Sequence, residues 1–366
     1  MTLHFSHRAN WHPLLNRLTA ARAGRELLDL TQSNPTQAGL EYPLDELAEV
    51  MARAARARYE ADPRGLRTAR EALGDADDLI LTASTSEAYA YLFKLLCDAG
   101  DNVITATPCY PLFEHLAGLE LIELRHFALE LHRRWELHAP VVRDAIDDHT
   151  RAIIVVNPNN PTGSFVTPSE QNALAQIGLP VISDEVFLPY GSGGQSFVRD
   201  DILTFTLGGL SKSAGLPHYK LGWIRVSGPG KKQALDALEL IADNYLSVAT
   251  PVQAALPDLL RIGATIRARI LERVRRNFDA LQRATATAPS IEVLSVEGGW
   301  SAVLRVPRVQ TDEELALALI DRGVLVQPGY FFDFAGEGYL VVSLLTTPDI
   351  FDQGIERVCR TVNAEG

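Results

Sequence analysis

One lysine in the sequence has neighbours that would make its amine reactive. Lys212 lies within LTFTLGGLSKSAGLPHYKLGWIRV (203–226), between two apolar runs (203–207 and 221–226) and among Gly208, Gly209, Ser211 and Ser213. Small neighbours let a flat ligand approach closely. Partial desolvation between apolar strands lowers an ammonium's pKa toward the nucleophilic free base. The same pattern fits a solvated loop lysine, so other residues must decide. Four other places offer matching chemistry. Ser84, Thr85 and Ser86 open a helical stretch and offer hydroxyls and backbone N–H groups for a phosphate. Tyr110 sits between two prolines, Asn160 lies in NPNNPTG, and Asp184 begins DEVF. Taken singly, these also read as a structural helix cap with Glu87, a turn tyrosine, a proline-rich turn and a capping aspartate.

The elements around these residues imply a common placement. Short apolar runs at 79–83, 103–106, 121–127, 152–156 and 180–183 alternate with helical patterns, which predicts a mostly parallel sheet covered on both faces. Ligands of such sheets gather at the carboxyl ends of strands. Ser84, Tyr110, Asn160 and Asp184 each follow one of those runs. Helices are predicted over 14–28, 44–57 and 256–281, with Ser84–Glu87 as a capping box and Gly100 closing its helix. Strands at IEVLSV, SAVLRV, VLVQPG and YLVVSLL, with helices near 313–322 and at the C-terminus, predict a second, α+β lobe. The irregular LDLTQSNPTQAGLEYP (28–43), which contains Ser33 and Asn34, reads as an ordered arm.

Composition narrows the function. The 366 residues carry a formal charge of −12 and are 46% hydrophobic, which argues for a large core and against nucleic acid or an anionic membrane surface as partner. The three cysteines are far apart, without a CxxC pair, as expected of reduced cytosolic thiols, and no HExxH supports zinc. Neither an apolar leader nor a membrane-length apolar run is present, so a cytoplasmic location is expected.

NPNNPTG, then SDEV, then SK followed eight positions later by a second cation and GW, with GGW at 298–300 and VLVQPG at 324–329, resembles the class I/II aminotransferases of pyridoxal-phosphate fold type I. The resemblance spans nearly the whole chain. It implies an α/β fold with a three-layer, mostly parallel cofactor-binding domain (40–255) and a smaller α+β domain from both termini (1–39 and 256–366). It further implies pyridoxal 5′-phosphate as cofactor, held as an aldimine on Lys212, and amino-group exchange between an amino acid or related amine and a 2-oxo acid. Asp184 then matches the carboxylate under the pyridine nitrogen, Asn160 the amide on the ring hydroxyl and Tyr110 the stacking ring. Ser84, Thr85, Ser86, Ser211 and Lys220 match the phosphate side. Tyr59 matches a tyrosine that reaches the neighbouring subunit's phosphate, which implies a homodimer with shared active sites.

Several positions depart from the pattern. Lys220 and Gly209 stand where arginine and serine are usual, and Phe187 where a tyrosine donates to the ring oxygen. Val341 occupies the place of the arginine that clamps a substrate carboxylate, so Arg8, Arg17 and Arg25 become candidate replacements beside Ser33, Asn34 and Asn160. A lyase, decarboxylase or replacement enzyme shares the same cofactor chemistry. A binding or regulatory protein on this fold is disfavoured by the intact Lys212 and Asp184.

Overall fold

The computed structural model describes Ser6, Arg8 and residues 16–365. Seven strands form the central sheet: β1 (Leu79–Thr82), β2 (Asn102–Thr107), β3 (Glu123–Ala128), β4 (Thr150–Val156), β5 (Val181–Asp184), β6 (Thr204–Gly209) and β7 (Gly222–Ser227). Their spatial order is β1-β7-β6-β5-β4-β2-β3. Every pairing is parallel except those of β7, which runs antiparallel to both β1 and β6. The inner strands read as largely apolar runs because both faces are covered, whereas the edge strand β3, ELRHFA, is mostly polar and accessible. Alternate residues of β4 show the division. Ile154 and Val156 join the core that contains the helix Thr85–Leu96 (α1), whereas Ile153 and Val155 join the opposite core with Val142, Leu174 and Phe197.

Behind the sheet runs α2 (Leu210–Ser213), one turn that begins where β6 ends, and below it a 36-residue helix α3 (Thr250–Thr285). The sequence reading started α3 late, at 256. Pro257 costs one backbone hydrogen bond inside it, but the buried Ala255, Leu256, Leu259, Ile262, Ile266 and Ile270 hold the helix through. Gly263 lets α3 approach α2, since a Cβ there would stand 2.4 Å from the Ala214 Cβ.

A separate apolar core joins Leu18 and Leu30 to residues between Leu281 and Val362. Its sheet is antiparallel, β8 (Glu292–Val293), β9 (Ser301–Arg305), β10 (Gln327–Pro328) and β11 (Tyr339–Ser343) in the order β8-β9-β11-β10. Leu28–Asp29 pairs in parallel with Val324–Leu325, tying the early chain to this part.

Three local expectations need correction. The first helix is only Arg17–Arg22, because Gly24 takes a positive φ and turns the chain. Ser84 does cap α1 by accepting from the Glu87 amide, yet the Glu87 carboxylate reaches past it to the Ala83 amide, so the reciprocal box does not form. Gly100 lies beyond the end of α1, which Cys97 caps.

Candidate active site

Strand direction assembles the site. β1, β2, β4, β5 and β6 end at one edge of the sheet, and β7, being reversed, begins there. Gly222 pairs with both Thr82 and Gly209, which draws the Ser84 turn, α2 and the Lys220 loop together. Between this edge and the small sheet lies a basin of about 300 Å³, lined by Ser84, Thr85, Ser86, Tyr110, Asn160, Asp184, Phe187, Ser211, Lys212 and Lys220 from the large sheet's side. From the other side come Ser33, Trp300, Ser301, Gln327, Phe332 and Ser343.

Lys212 projects from α2 into the basin. Its ammonium donates to the Ser33 carbonyl at 3.4 Å and lies 5.0 Å from the Trp300 ring centroid and 5.8 Å from that of Phe187. Burial pushes its pKa below the ordinary lysine value, and the charge of Asp184 only partly opposes this. Phe187, Tyr190 and Trp300 pack edge to face, with Phe187 and Tyr190 5.2 and 5.1 Å from the Trp300 centroid. The Tyr190 hydroxyl donates to the Lys212 carbonyl at 2.6 Å, so the same cluster fixes the lysine's backbone.

Asp184, the last residue of β5, is 8% exposed. Burial raises its pKa to about 6, although the Val186 amide, the Tyr89 hydroxyl and the Lys212 charge all pull it down. Both donors stand 3.2 Å from the carboxylate. Tyr89 is fully buried, and burial first, then the Asp184 charge, raises its pKa well above the ordinary value. A carboxylate so held suits a cationic ring nitrogen above it.

The start of α1 forms one end of the basin. Ser84 spends its acceptor on capping, while the first-turn amides of Thr85 and Ser86 have no helical partner. Lys220 reaches the same basin from a left-handed backbone at φ 49°. A Cβ at Gly209 would meet nothing nearer than 3.5 Å, so packing does not forbid a serine at that position.

Several proposed substrate-side residues lie elsewhere. Val341 is fully buried between β9 and β10, facing Trp135, Phe332 and Phe334, and does not reach the basin. The Asn34 side-chain oxygen accepts from the Thr36 amide and hydroxyl, which caps a turn, and it does not line the basin. Arg17 pairs with Glu313 at 2.9 Å and Arg25 with Asp321 at 2.8 Å, so both serve the helix Asp312–Asp321. Arg8 is exposed and outside the basin lining, and residues 9–15 lie outside the described residues. Tyr59 is 68% exposed and lines a different surface cleft with Asp62, Pro63 and Ser247. Sequence reasoning missed Tyr89, Gln327, Ser301 and Phe332. Trp300 was visible only as the end of GGW, with no role attached.

The family model for aminotransferase class I and II matches residues 25–358. The chain belongs to the class I and II aminotransferases. Among curated members of the family, nicotianamine aminotransferase 1 of Oryza sativa subsp. japonica is 31% identical over 221 residues, 54% of this chain and 45% of the relative. This chain thus spans less than half of the plant aminotransferases it matches, 36–45% of their lengths. A longer alignment joins it to glutamate-pyruvate aminotransferase AlaA of Haemophilus influenzae, 23% identical over 370 residues, 92% of this chain and 91% of that one. The fold is that of the solved tyrosine aminotransferase from Leishmania infantum, with TM-score 0.88, 20% identity and coverage of 100% and 99% of the two chains. Among the described residues, no helix is long and apolar enough to cross a membrane.

Proposed function

We propose that the protein is a pyridoxal-phosphate-dependent aminotransferase exchanging an amino group between an amino acid or related amine and a 2-oxo acid. One observation carries the reading: Lys212 and the buried Asp184 face one basin at the carboxyl edge of the sheet, with free α1 amides at its end. When bound, the cofactor would supply an electron-accepting ring that stabilises negative charge on the substrate carbon bearing the amine. Asp184 would hold the proton on the ring nitrogen. The Lys212 Nζ, its basicity reduced by burial, would take and return the substrate proton. Asn160 would donate to the ring oxygen, alone in that task because Phe187 has no hydroxyl, and Tyr110 would cover the ring face. The Thr85 and Ser86 amides, with the Ser84 and Ser211 hydroxyls and the Lys220 charge, would hold the phosphate, less tightly than a bidentate guanidinium does.

Family membership leaves the donor open, since relatives bear names from glutamate-pyruvate to nicotianamine and tyrosine aminotransferase. Lys212 and Lys220 are the cations among the described lining residues. We therefore propose that the donor is held at its far end by Gln327, Ser301 and Ser343, and that amines lacking an α-carboxylate rank among its substrates. We also propose lobes at 40–255 and at 1–39 with 256–366, a homodimer in which Tyr59 completes the other subunit's site, and a cytoplasmic setting for the unpaired Cys97, Cys109 and Cys359.

Added pyridoxal phosphate should give an absorbance band distinct from the free cofactor's, which borohydride fixes to the protein. Lys212→Ala should abolish that fixation, and a spectrum identical to the free cofactor's in wild type would refute the reading. A donor screen scored for carbonyl product, carbon dioxide and ammonia separates transamination from decarboxylation and lysis. If ordinary α-amino acids alone react, the reading of the far end is wrong.

A further inference from the structure

Away from the basin, a tight hairpin joins Glu130–Leu131 to Trp135–Glu136 and leads to His138. Its charged side chains converge. The Glu130 Oε2 stands 3.4 Å from the His132 Nε2 and 3.6 Å from the His138 Nε2, and the Glu136 Oε2 lies 3.9 Å from the latter. One donor atom from each of Glu130, His132 and His138 falls within 4.8 Å of the others. The two imidazoles meet edge to face with centroids 5.9 Å apart.

These separations are long for hydrogen bonds and short for groups that ignore one another. The His138 Nε2 is closed off from water yet has no hydrogen-bond partner, although carboxylates lie on two sides of it. A buried nitrogen left in that position calls for a partner. A cation supplies one. With bonds of about 2.0–2.1 Å, the donors of a tetrahedral shell stand about 3.3–3.4 Å apart, so the edges at Glu130 match to within a few tenths of an ångström. Neutral imidazoles with a carboxylate favour zinc, nickel or copper over calcium or magnesium, which prefer all-oxygen shells. Arg134 binds Glu170 at 2.8 Å and the Phe165 carbonyl at 3.1 Å, and its Nε stands 3.9 Å from the Glu136 carboxylate, so the guanidinium engages Glu136 and leaves Glu130 to the imidazoles.

We propose that this hairpin binds a first-row divalent cation, zinc foremost, through Glu130, His132 and His138, with a solvent molecule in the fourth position. The ion would clip the hairpin shut. Trp135, between the ligands, packs 5.6 Å from Phe334 and 6.4 Å from Tyr339, in the cluster that includes Val341 and the basin residue Phe332. Metal occupancy would therefore stiffen the wall behind the substrate end.

The test is calorimetric titration of chelator-treated full-length protein with zinc. About one equivalent should bind, and the unfolding temperature should rise. His132→Ala and His138→Ala should each weaken binding at least about tenfold, since even outer-shell changes cost that much. His132 is 58% exposed, so its replacement leaves the fold intact, and circular dichroism of both variants checks this. Cobalt in place of zinc should give visible bands of tetrahedral coordination that His132→Ala removes. No binding by wild type would overturn the proposal, and binding with unchanged affinity in both variants would show adventitious metal only and overturn it equally.

Discussion

At the scale of single residues, Asp184 is held against its own preference. An unfolded aspartate releases its proton near pH 4, but the folded carboxyl keeps it to about 6. Over that window the native state binds the extra proton, so stability falls as pH rises, by up to about 3 kcal/mol. Cofactor-free Asp184→Asn should therefore be more stable than wild type above pH 6 and about equal to it at pH 4, as read by urea unfolding. The same variant should bind pyridoxal phosphate more weakly, because its amide cannot hold a ring proton. Lys212 and Asp184 could be singled out from sequence because each sits beside a distinctive local string. Tyr89 could not, since nothing in a helix's periodicity says that one face meets a buried carboxylate. Arg17 and Arg25 looked available for a substrate only because Glu313 and Asp321 lie nearly 300 residues away.

At the scale of elements, contact between α2 and α3 positions the lysine. Gly263→Ala should force α2 outward, costing about 1–3 kcal/mol and loosening cofactor binding, measurable by unfolding and by absorbance titration. β10 and β11 decide what the substrate meets. Gln327→Arg places a cation in the basin and should lower KM for α-amino acids at least about tenfold relative to carboxylate-free amines. Val341→Arg should instead destabilise the protein strongly, by burying an unpaired charge among Trp135, Phe332 and Phe334. The sequence marked 341 as unusual for the family. Only the β11 register shows that the valine belongs to a core rather than to the basin. The inner strands were readable because doubly covered strands are largely apolar. The reversal of β7 was not, as a buried run looks alike in either direction.

For the whole molecule, exposed Leu44, Tyr59, Leu240 and Tyr245, at 69, 68, 70 and 50%, are a feature that self-association would cover. Sedimentation should give a dimer. Mixing Tyr59→Ala with Lys212→Ala after partial dissociation should restore activity above that of either variant alone, which sites confined to one subunit would not do. β7 adds a constraint in time. It wedges between the first and sixth strands, and until residues 222–227 are inserted there, the Ser84 turn and α2 have nothing to bring them together. A growing chain therefore completes six strands before the cofactor has a place to go, and capture of pyridoxal phosphate becomes a late step of folding rather than its nucleus.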